Sequence, residues 1–287
     1  MAVSALQETD VTPVPVERTA LERVKRAWAS VKDWRMAPAR FRWWAVRAMM
    51  PRGVVESRGL RFTLQCENWI TQYRCRTYND KEPETLDWID ERLREGDTFF
   101  DIGANIGVYA LYAALRHPRL KVVAFEPEYA NLHLLRDNLF HNALQDRVDV
   151  YAIALSARSG VSWLHIQDLA PGSGLHTEFN GGLGHTLEGR RVVWREGIVT
   201  LTLDEFCRHT GLQPNGLKID VDGTEPRILE GARRTLGSPA LRSVIIEIPE
   251  DVSARRVCEE QLCAAGLTRR WRDPRGLSQN EIWGRNA

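Results

Sequence analysis

The chain has 287 residues, 43% hydrophobic and 27% charged, a balance typical of a globular protein. Its formal net charge of +1 excludes a general attraction to nucleic acid, so no nucleic-acid partner is expected. Five cysteines without a Cys-x-x-Cys pair favour reduced thiols over a disulfide framework or a zinc site. No apolar run reaches the roughly 18 residues of a spanning helix, and no secretory signal begins the chain. We therefore predict a cytoplasmic protein.

The amino-terminal part of the chain differs in composition from the rest. Residues 1–16 are small and polar and are predicted to be a disordered tail. Residues 17–80 form a second region, in which 17–61 interleave arginine with tryptophan at helical spacing. This basic segment is either a helical cap on the main domain, which we favour, or a surface for a partner or for the inner face of a membrane. A lead-in hairpin is expected after it, with strands at 59–65 and 70–77.

A strand, a glycine turn, a helix and a second strand follow one another between residues 98 and 126. Gly103 ends the first strand, and a glycine there lets the backbone approach a ligand beside the free N–H groups of the next helix. Glu126 stands at the tip of the second strand, where a carboxylate can accept both hydroxyls of a ribose. This pattern predicts a nucleoside site.

The glycine spacing indicates which nucleoside to expect. A dinucleotide fold uses Gly-x-Gly-x-x-Gly, but aligning Gly103 with its first glycine places Asn105 and Val108 at the other two. Asp101 lies too close for a pyrophosphate, whereas a carboxylate suits a sulfonium with an amino-acid tail. We therefore predict S-adenosylmethionine, with a nicotinamide cofactor and a purely structural turn as the alternatives.

Strands and helices alternate through residues 98–265, and a hairpin is expected at 267–271 and 280–283. This order predicts an α/β fold with one mostly parallel sheet and helices on both faces. A glycine-rich stretch at 167–190, which includes His176, predicts a lid, a binding loop or disorder. Ligands of such sheets bind outside the carboxyl ends of the strands. Several acids fall at or near those ends, namely Asp101, Glu126, Asp220, Asp222 and Glu247.

These motifs resemble those of the FkbM family of S-adenosylmethionine-dependent methyltransferases. The matching segments are Phe100–Gly107, Ala124–Pro127 with Asn131 and Asn138 behind it, Thr202–Asp204 and Leu217–Glu225. The resemblance covers roughly residues 80–285 and implies a Rossmann-like class I methyltransferase fold with a seven-stranded sheet, in a domain at 81–287. It also implies methyl transfer to a hydroxyl of a sugar, glycan or natural product. One departure is Asp222, where the family often has Glu.

The resemblance also implies which residues contact the cofactor. Asp101, Gly103 and Asn105 would line its methionine half, Glu126 would hold the ribose, and the turn around Val150 would flank the adenine. The full expected set is Asp101, Gly103, Ala104, Asn105, Gly107, Glu126, Pro127, Asn131, Val150, Ala152 and Asp220.

A hydroxyl acceptor has to lose its proton, which calls for a base within reach. Asp220 is the first candidate, with Asp222, Glu247 and His176 behind it. Asp222 has an equal claim as the cap of a helix beginning at Thr224. The three carboxylates could instead hold Mg²⁺, although we favour catalysis without a metal. An enzyme is expected, and the alternative is a non-catalytic scaffold that acts through its basic segment.

Overall fold

The computed structural model describes residues 37–49, 51–174, 176–178, 186–187 and 190–285. The chain divides into two compact units, residues 1–50 and 51–287. In the first unit one helix is described, α1 (Ala37–Met49), with Pro38 in its first turn, where proline is tolerated. The predicted tail and the part of the basic segment before α1 lie outside the described residues. None of the helices that are described is both long and apolar enough to cross a membrane.

The second unit alternates strands and helices along most of its length. Its strands are β1 (Arg52–Ser57), β2 (Leu60–Gln65), β3 (Thr98–Ile102), β4 (Lys121–Phe125), β5 (Val148–Tyr151), β6 (Ala154–Leu155), β7 (Gly160–Ile166), β8 (Thr177–Glu178), β9 (Thr186–Leu187), β10 (Arg190–Arg191), β11 (Trp194–Leu201), β12 (Gly216–Ile219), β13 (Ser243–Glu247), β14 (Thr268–Arg272) and β15 (Asn280–Gly284). Its helices are α2 (Trp69–Arg76), α3 (Tyr78–Lys81), α4 (Pro83–Arg92), α5 (Val108–Arg116), α6 (Tyr129–His141), α7 (Leu203–Thr210), α8 (Glu225–Glu230), α9 (Arg233–Gly237) and α10 (Val252–Ala264).

Seven of the described strands form the central sheet, in the order β14-β15-β13-β12-β3-β4-β5. The strands from β13 to β5 are parallel, while β15 runs antiparallel to both of its neighbours. The predicted seven-stranded, mostly parallel sheet with a C-terminal hairpin is therefore confirmed. The chain order reverses between β3 and β12, and ligands bind at such a switch point in open α/β sheets.

Helices cover both faces of this sheet. Successive side chains of a strand point to opposite faces. Phe99 accordingly belongs to a core cluster with helices α4, α5 and α6, whereas Phe100 belongs to a second cluster with α7, α8, α9 and α10. Both phenylalanines are fully buried. The two cores hold the strand ends in fixed positions relative to one another.

The region before the sheet departs from the prediction. Residues 70–77 were expected to form a strand, but they lie mostly in α2, because Asn68 and Thr71 form a capping box that starts a helix. The hairpin instead pairs β1 with β2, and its Val55 and Phe62 pack into the core of the second unit. A further sheet, β6-β11-β7-β8, was not predicted as such, because only the strand near 192–203 has a clear sequence pattern.

Candidate active site

A cleft of about 590 Å³, open to solvent, lies at the carboxyl ends of β3 and β4. Six of the residues predicted to contact the cofactor line it, namely Gly103, Asn105, Glu126, Pro127, Asn131 and Asp220. Asp222 and His176 line it as well. The structure therefore brings the two informative sequence stretches, at 98–126 and 216–223, to one place.

Glu126 is a buried acid of this cleft. Its Oε2 accepts a hydrogen bond from the N–H of Asn105 at 2.7 Å, and its Oε1 accepts one from the N–H of Glu128 at 2.9 Å. Burial raises the pKa of Glu126 to about 8, although these hydrogen bonds oppose the shift. Each oxygen of the carboxyl group can form more than one hydrogen bond, so both can still bond to a ligand hydroxyl.

The turn after β3 explains its glycine. Gly103 has a φ of 78°, and a Cβ there would lie 1.8 Å from the carbonyl oxygen of Asp220. Because no side chain fits in that space, the end of β3 can approach the end of β12 closely. Asn105 follows with a φ of 50°, and its Nδ2 donates to the carbonyl of Ser173 at 2.7 Å. The turn thus joins the cleft to the glycine-rich loop.

Asn131 fastens the same loop from α6. Its Oδ1 accepts from the N–H of Gly172 at 2.7 Å, and its Nδ2 donates to the carbonyl of Ser173 at 3.2 Å. From α2, Arg74 donates its Nε to the carbonyl of Gly172 at 2.7 Å. The described part of the glycine-rich stretch is therefore a fixed wall of the cleft, held by three elements.

Asp101 does not face the cleft, contrary to the sequence prediction. It is fully buried beneath the Gly103 turn, and its Oδ1 lies 3.6 Å from the Nζ of Lys218. The two residues stand side by side in register on β3 and β12. Burial raises the pKa of Asp101, while the Lys218 ammonium opposes the shift. Asp101 is therefore the partner of a buried lysine rather than a cofactor contact.

Four more of the expected cofactor residues line neither this cleft nor the second one described below. Ala104 is buried, and Gly107 has a φ of 84° as the N-cap of α5, where it packs against Leu135. Val150 packs against the core and Ala152 is exposed, because the strand alternation turns them away from the cleft. The apolar wall consists instead of residues further along the chain, namely Ile153, Ala154, Leu155 and Leu164.

Asp220 stands on the other side of β3, with Lys218 beneath it. The Lys218 Nζ donates to the Asp220 Oδ2 at 2.9 Å; the lysine side chain is buried, and that of Asp220 is 28% exposed. Burial alone would raise the pKa of Asp220, but the lysine and a hydrogen bond with Glu247 hold it well below its usual range. Burial and the nearby Asp220 charge raise the pKa of Glu247 well above its ordinary value. The pair therefore shares one proton at neutral pH, with the charge on Asp220.

A second cleft, with about 960 Å³ of open space, begins at this acid pair. Glu247 lines it, together with Arg74, Glu82, residues 277–279 of the loop between β14 and β15, and Asn280 at the start of β15. The residues that line both clefts are Gly103, Asn105, Gly174, Asp220 and Asp222. The two clefts therefore meet at the Gly103 turn and the end of β12.

Asp222 belongs to the turn after β12 and is not the cap of α8. The N-cap residue is Thr224, and the N–H groups of Val221 and Gly223 each donate to the Glu225 Oε1 at 3.2 Å. Glu225 is buried, and its burial raises its pKa to about 7. Asp222 itself has a φ of 54° and lines both clefts. Glu225 thus holds the turn that carries both candidate aspartates.

His176 lies on the Glu126 side of the site. Its Nε2 is 3.0 Å from the Oγ of Ser173, and burial lowers its pKa, so the ring is neutral at neutral pH. It lines the first cleft and not the second. His176 and Glu247 therefore occupy different ends of the site.

Two residues that matter here were missing from the sequence prediction, Lys218 and Glu225. Lys218 had a visible signal, because a lysine in the otherwise apolar strand Gly216–Ile219 needs a buried partner. Within the described part of the chain, no group of three or more His, Cys, Asp or Glu residues is placed to hold a metal ion. The Asp220 carboxylate is paired with an ammonium instead, so these residues do not fit the Mg²⁺ alternative and no step is assigned to a metal.

The strand order and the cleft at its switch point define a Rossmann-like class I methyltransferase fold. Residues 101–256, more than half of the chain, match the model of the methyltransferase FkbM domain. The chain therefore belongs to the FkbM methyltransferase family. The nicotinamide alternative is set aside by this membership.

Several characterised proteins are similar to this chain. The 31-O-demethyl-FK506 methyltransferase FkbM of Streptomyces tacrolimicus is 33% identical over 54% of the chain, and the match spans 66% of that relative, just under two thirds. The hexuronic acid methyltransferase AglP of Haloferax volcanii is 28% identical over 74% of the chain and 81% of its own length. Among solved structures, Aeropyrum pernix fibrillarin with natively bound S-adenosyl-L-methionine is 12% identical, with 81% of this chain and 82% of that one covered and a TM-score of 0.45.

Proposed function

We propose that the chain is an S-adenosylmethionine-dependent O-methyltransferase acting on a hydroxyl of a sugar, glycan or other natural product. The observation that supports this most is the junction of the two clefts. Glu126 stands in the first cleft, the Glu247 side chain lines the second, and Asp220 lies where they meet. A donor in one cleft and an acceptor in the other would therefore react beside Asp220.

The residues of the first cleft fit S-adenosylmethionine. Glu126 would accept the ribose hydroxyls, and the apolar side chains of Ile153, Leu155 and Leu164 would contact the adenine. The Gly103 turn leaves room for backbone contact, since any side chain there would collide with residue 220. The cofactor supplies a methyl group on a positively charged sulfur, which an oxygen nucleophile can displace.

Asp220 is the proposed base. Its lowered pKa makes it a weak one, but an alcohol oxygen becomes strongly acidic as its new bond to carbon forms, so a weak base is sufficient. The buried Lys218 keeps Asp220 ionised, and the protonated Glu247 donates to it. Asp222 lines the same junction and would help to orient the acceptor. Most of the remaining rate enhancement would come from alignment of the acceptor oxygen with the methyl group of the donor.

The second cleft favours a hydroxyl-rich acceptor. Its lining is almost entirely polar, with the side chains of Ser278, Gln279 and Asn280 at one end and Arg74 at another. Two relatives are named for 31-O-demethyl-FK506 and for a hexuronic acid, and the first name specifies transfer to oxygen. We therefore propose a polar sugar-like or glycan acceptor ahead of a wholly apolar one.

The first experiment is calorimetric titration of the full chain with S-adenosylmethionine, S-adenosylhomocysteine and NADH. We expect micromolar binding of both sulfur nucleosides and none of NADH. Transfer of a labelled methyl group is then screened over uronic acids, neutral hexosides and hydroxylated macrolactones. If neither sulfur nucleoside binds, the result contradicts the proposal and supports the scaffold alternative.

The cytoplasmic location and the role of residues 17–61 stay predictions. The favoured role, a cap on the main domain, predicts that the full chain does not sediment with vesicles containing anionic lipid. Sedimentation that is lost at high salt would support contact with a membrane surface instead.

A further inference from the structure

Two cysteine thiols meet in a third cleft, which shares no lining residue with the two clefts of the site. Cys66 follows β2 and Cys75 lies in α2. A Cβ placed on Gly53 would lie 2.1 Å from the Sγ of Cys75 and 2.9 Å from the Sγ of Cys66. Both sulfur atoms therefore occupy the space that a side chain at residue 53 would fill, and they are direct neighbours.

The surroundings of the pair favour a reactive thiolate. The cleft is open to solvent and is lined by both cysteines, Arg52 and Arg76. A hydrogen bond from the Cys75 thiol lowers the pKa of Cys66 to about 7 with help from the Gly53 N–H and Arg76, although burial of Cys66 opposes this shift; the pKa of Cys75 is raised. Because the thiolate is the nucleophilic form, Cys66 is set to react and Cys75 to follow it.

We propose that Cys66 and Cys75 form a peroxide-sensitive dithiol that converts to an intramolecular disulfide. The Cys66 thiolate attacks one oxygen of a hydroperoxide, the O–O bond breaks, and Cys66 becomes a sulfenic acid while hydroxide or alkoxide leaves. The Cys75 sulfur then attacks the Cys66 sulfur, the S–O bond breaks, and the hydroxyl leaves as water with the Cys75 proton. The two thiols are oxidised and the peroxide is reduced.

The pair lies next to a support of the active-site wall. Arg74, the residue before Cys75, donates to the carbonyl of Gly172 at 2.7 Å, and Asn68, the N-cap of α2, donates to the carbonyl of Pro171 at 2.8 Å. A covalent bond brings two sulfurs closer than a thiol contact does. The disulfide would therefore displace the end of α2 that holds Gly172.

Peptide mapping tests the site itself. The reduced full chain is treated with hydrogen peroxide, quenched, alkylated under denaturing conditions and digested with trypsin. Cleavage after arginine places Cys66 in peptide 62–74 and Cys75 in peptide 75–76. We expect these two peptides to appear joined, with alkylation of both cysteines lost together and restored by dithiothreitol.

Two variants make the result specific. Cys75→Ser should give no joined peptide, and its Cys66 should pass on to sulfinic acid. Cys263→Ser removes an exposed thiol elsewhere and should behave as the unmodified chain does. Full alkylation of Cys66 and Cys75 after peroxide, or sulfinic acid at Cys66 with Cys75 intact in the unmodified chain, would overturn the proposal.

The effect on the site is a separate measurement that rests on the proposed function. S-adenosylhomocysteine is titrated into the reduced and the peroxide-treated chain. We expect the affinity to fall at least about threefold on oxidation and to recover on reduction, with no change for Cys75→Ser. Equal affinities of the reduced and the peroxide-treated chain would show that α2 does not couple the disulfide to the site. Failure of the reduced chain to bind would instead contradict the proposed function.

Discussion

The two acids on either side of β3 make an instructive comparison. Glu126 follows β4 and Asp220 follows β12, and both strands are parallel neighbours of β3. Glu126 is buried, whereas 28% of the Asp220 side chain is exposed. The pKa of Glu126 is raised to about 8 and that of Asp220 is lowered. Two acids at equivalent strand ends therefore hold different charge states at neutral pH.

The difference comes from what compensates each carboxylate. Glu126 receives the backbone N–H groups of Asn105 and Glu128 and the side-chain amide of Asn131, none of which has a net charge. Asp220 receives the Lys218 ammonium, a full charge in a low-dielectric site. A neutral, hydrogen-bonded site suits ligand hydroxyls, whereas a charge held permanently suits a proton acceptor. The five predictions below test this division, starting with the largest effect.

Asp220→Asn removes the proposed proton acceptor while keeping its shape. We expect kcat to fall by about 10²–10⁴-fold and the affinity for S-adenosylhomocysteine to change less than about threefold. The matched control is Glu247→Gln. Its kcat should fall less than about tenfold, because the Glu247 carboxyl is already protonated at neutral pH. A fully active Asp220→Asn enzyme would exclude this residue as the base.

Lys218→Met leaves the carboxylates of Asp101 and Asp220 without their shared cation. Loss of one partner from a buried ion pair costs about 3–5 kcal/mol of unfolding free energy, which urea titration measures. Adding Asp101→Asn to this variant should recover part of that loss, because one buried negative charge is removed. If Lys218→Met alone lowered the unfolding free energy by less than about 1 kcal/mol, Lys218 would not be compensating the charges of these acids.

Glu126→Ala should weaken binding of the donor. Loss of the hydrogen bonds from this carboxyl group to two ribose hydroxyls predicts an affinity about 30–100-fold lower for S-adenosylhomocysteine by calorimetry. Glu126→Gln keeps one acceptor oxygen, so its affinity should lie between those of the unmodified chain and Glu126→Ala. Unchanged affinity in Glu126→Ala would refute the assignment of the ribose to this residue.

The sequence predicted the parallel sheet and the placement of Glu126 and Asp220, because strand periodicity and strand ends are local features of the chain. It could not predict that Asp101 lies buried outside both clefts. That depends on the register of β3 against β12, which pairs Asp101 with Lys218 only after two distant segments meet. Val150 was misplaced for a related reason, since the apolar wall depends on where β5 ends.

The raised pKa values of Glu126 and Glu225 predict how stability depends on pH in the donor-free chain. Their folded-state pKa values of about 8 and about 7 exceed the ordinary 4.5, so the folded protein retains protons that the unfolded chain releases. The stability that comes from these retained protons is complete below about pH 4.5 and is lost as the pH rises through 7 and 8. Between pH 5 and 8, we expect the unfolding free energy of Glu225→Gln to fall less than that of the unmodified chain, by on the order of 2 kcal/mol. Parallel curves for the variant and the unmodified chain would contradict the shift.

The smallest effect concerns the apolar wall. Ile153 lines the first cleft, while Val150 packs against the core three residues earlier. Removing the Ile153 side chain with Ile153→Ala should cost about 1 kcal/mol of donor binding, or roughly fivefold in affinity, because part of the adenine contact is lost. Val150→Ala is the matched control, and it should lower thermal stability while leaving the affinity within about twofold. If Val150→Ala weakened binding and Ile153→Ala did not, the adenine would lie where the sequence predicted it, beside the turn around Val150 and Ala152.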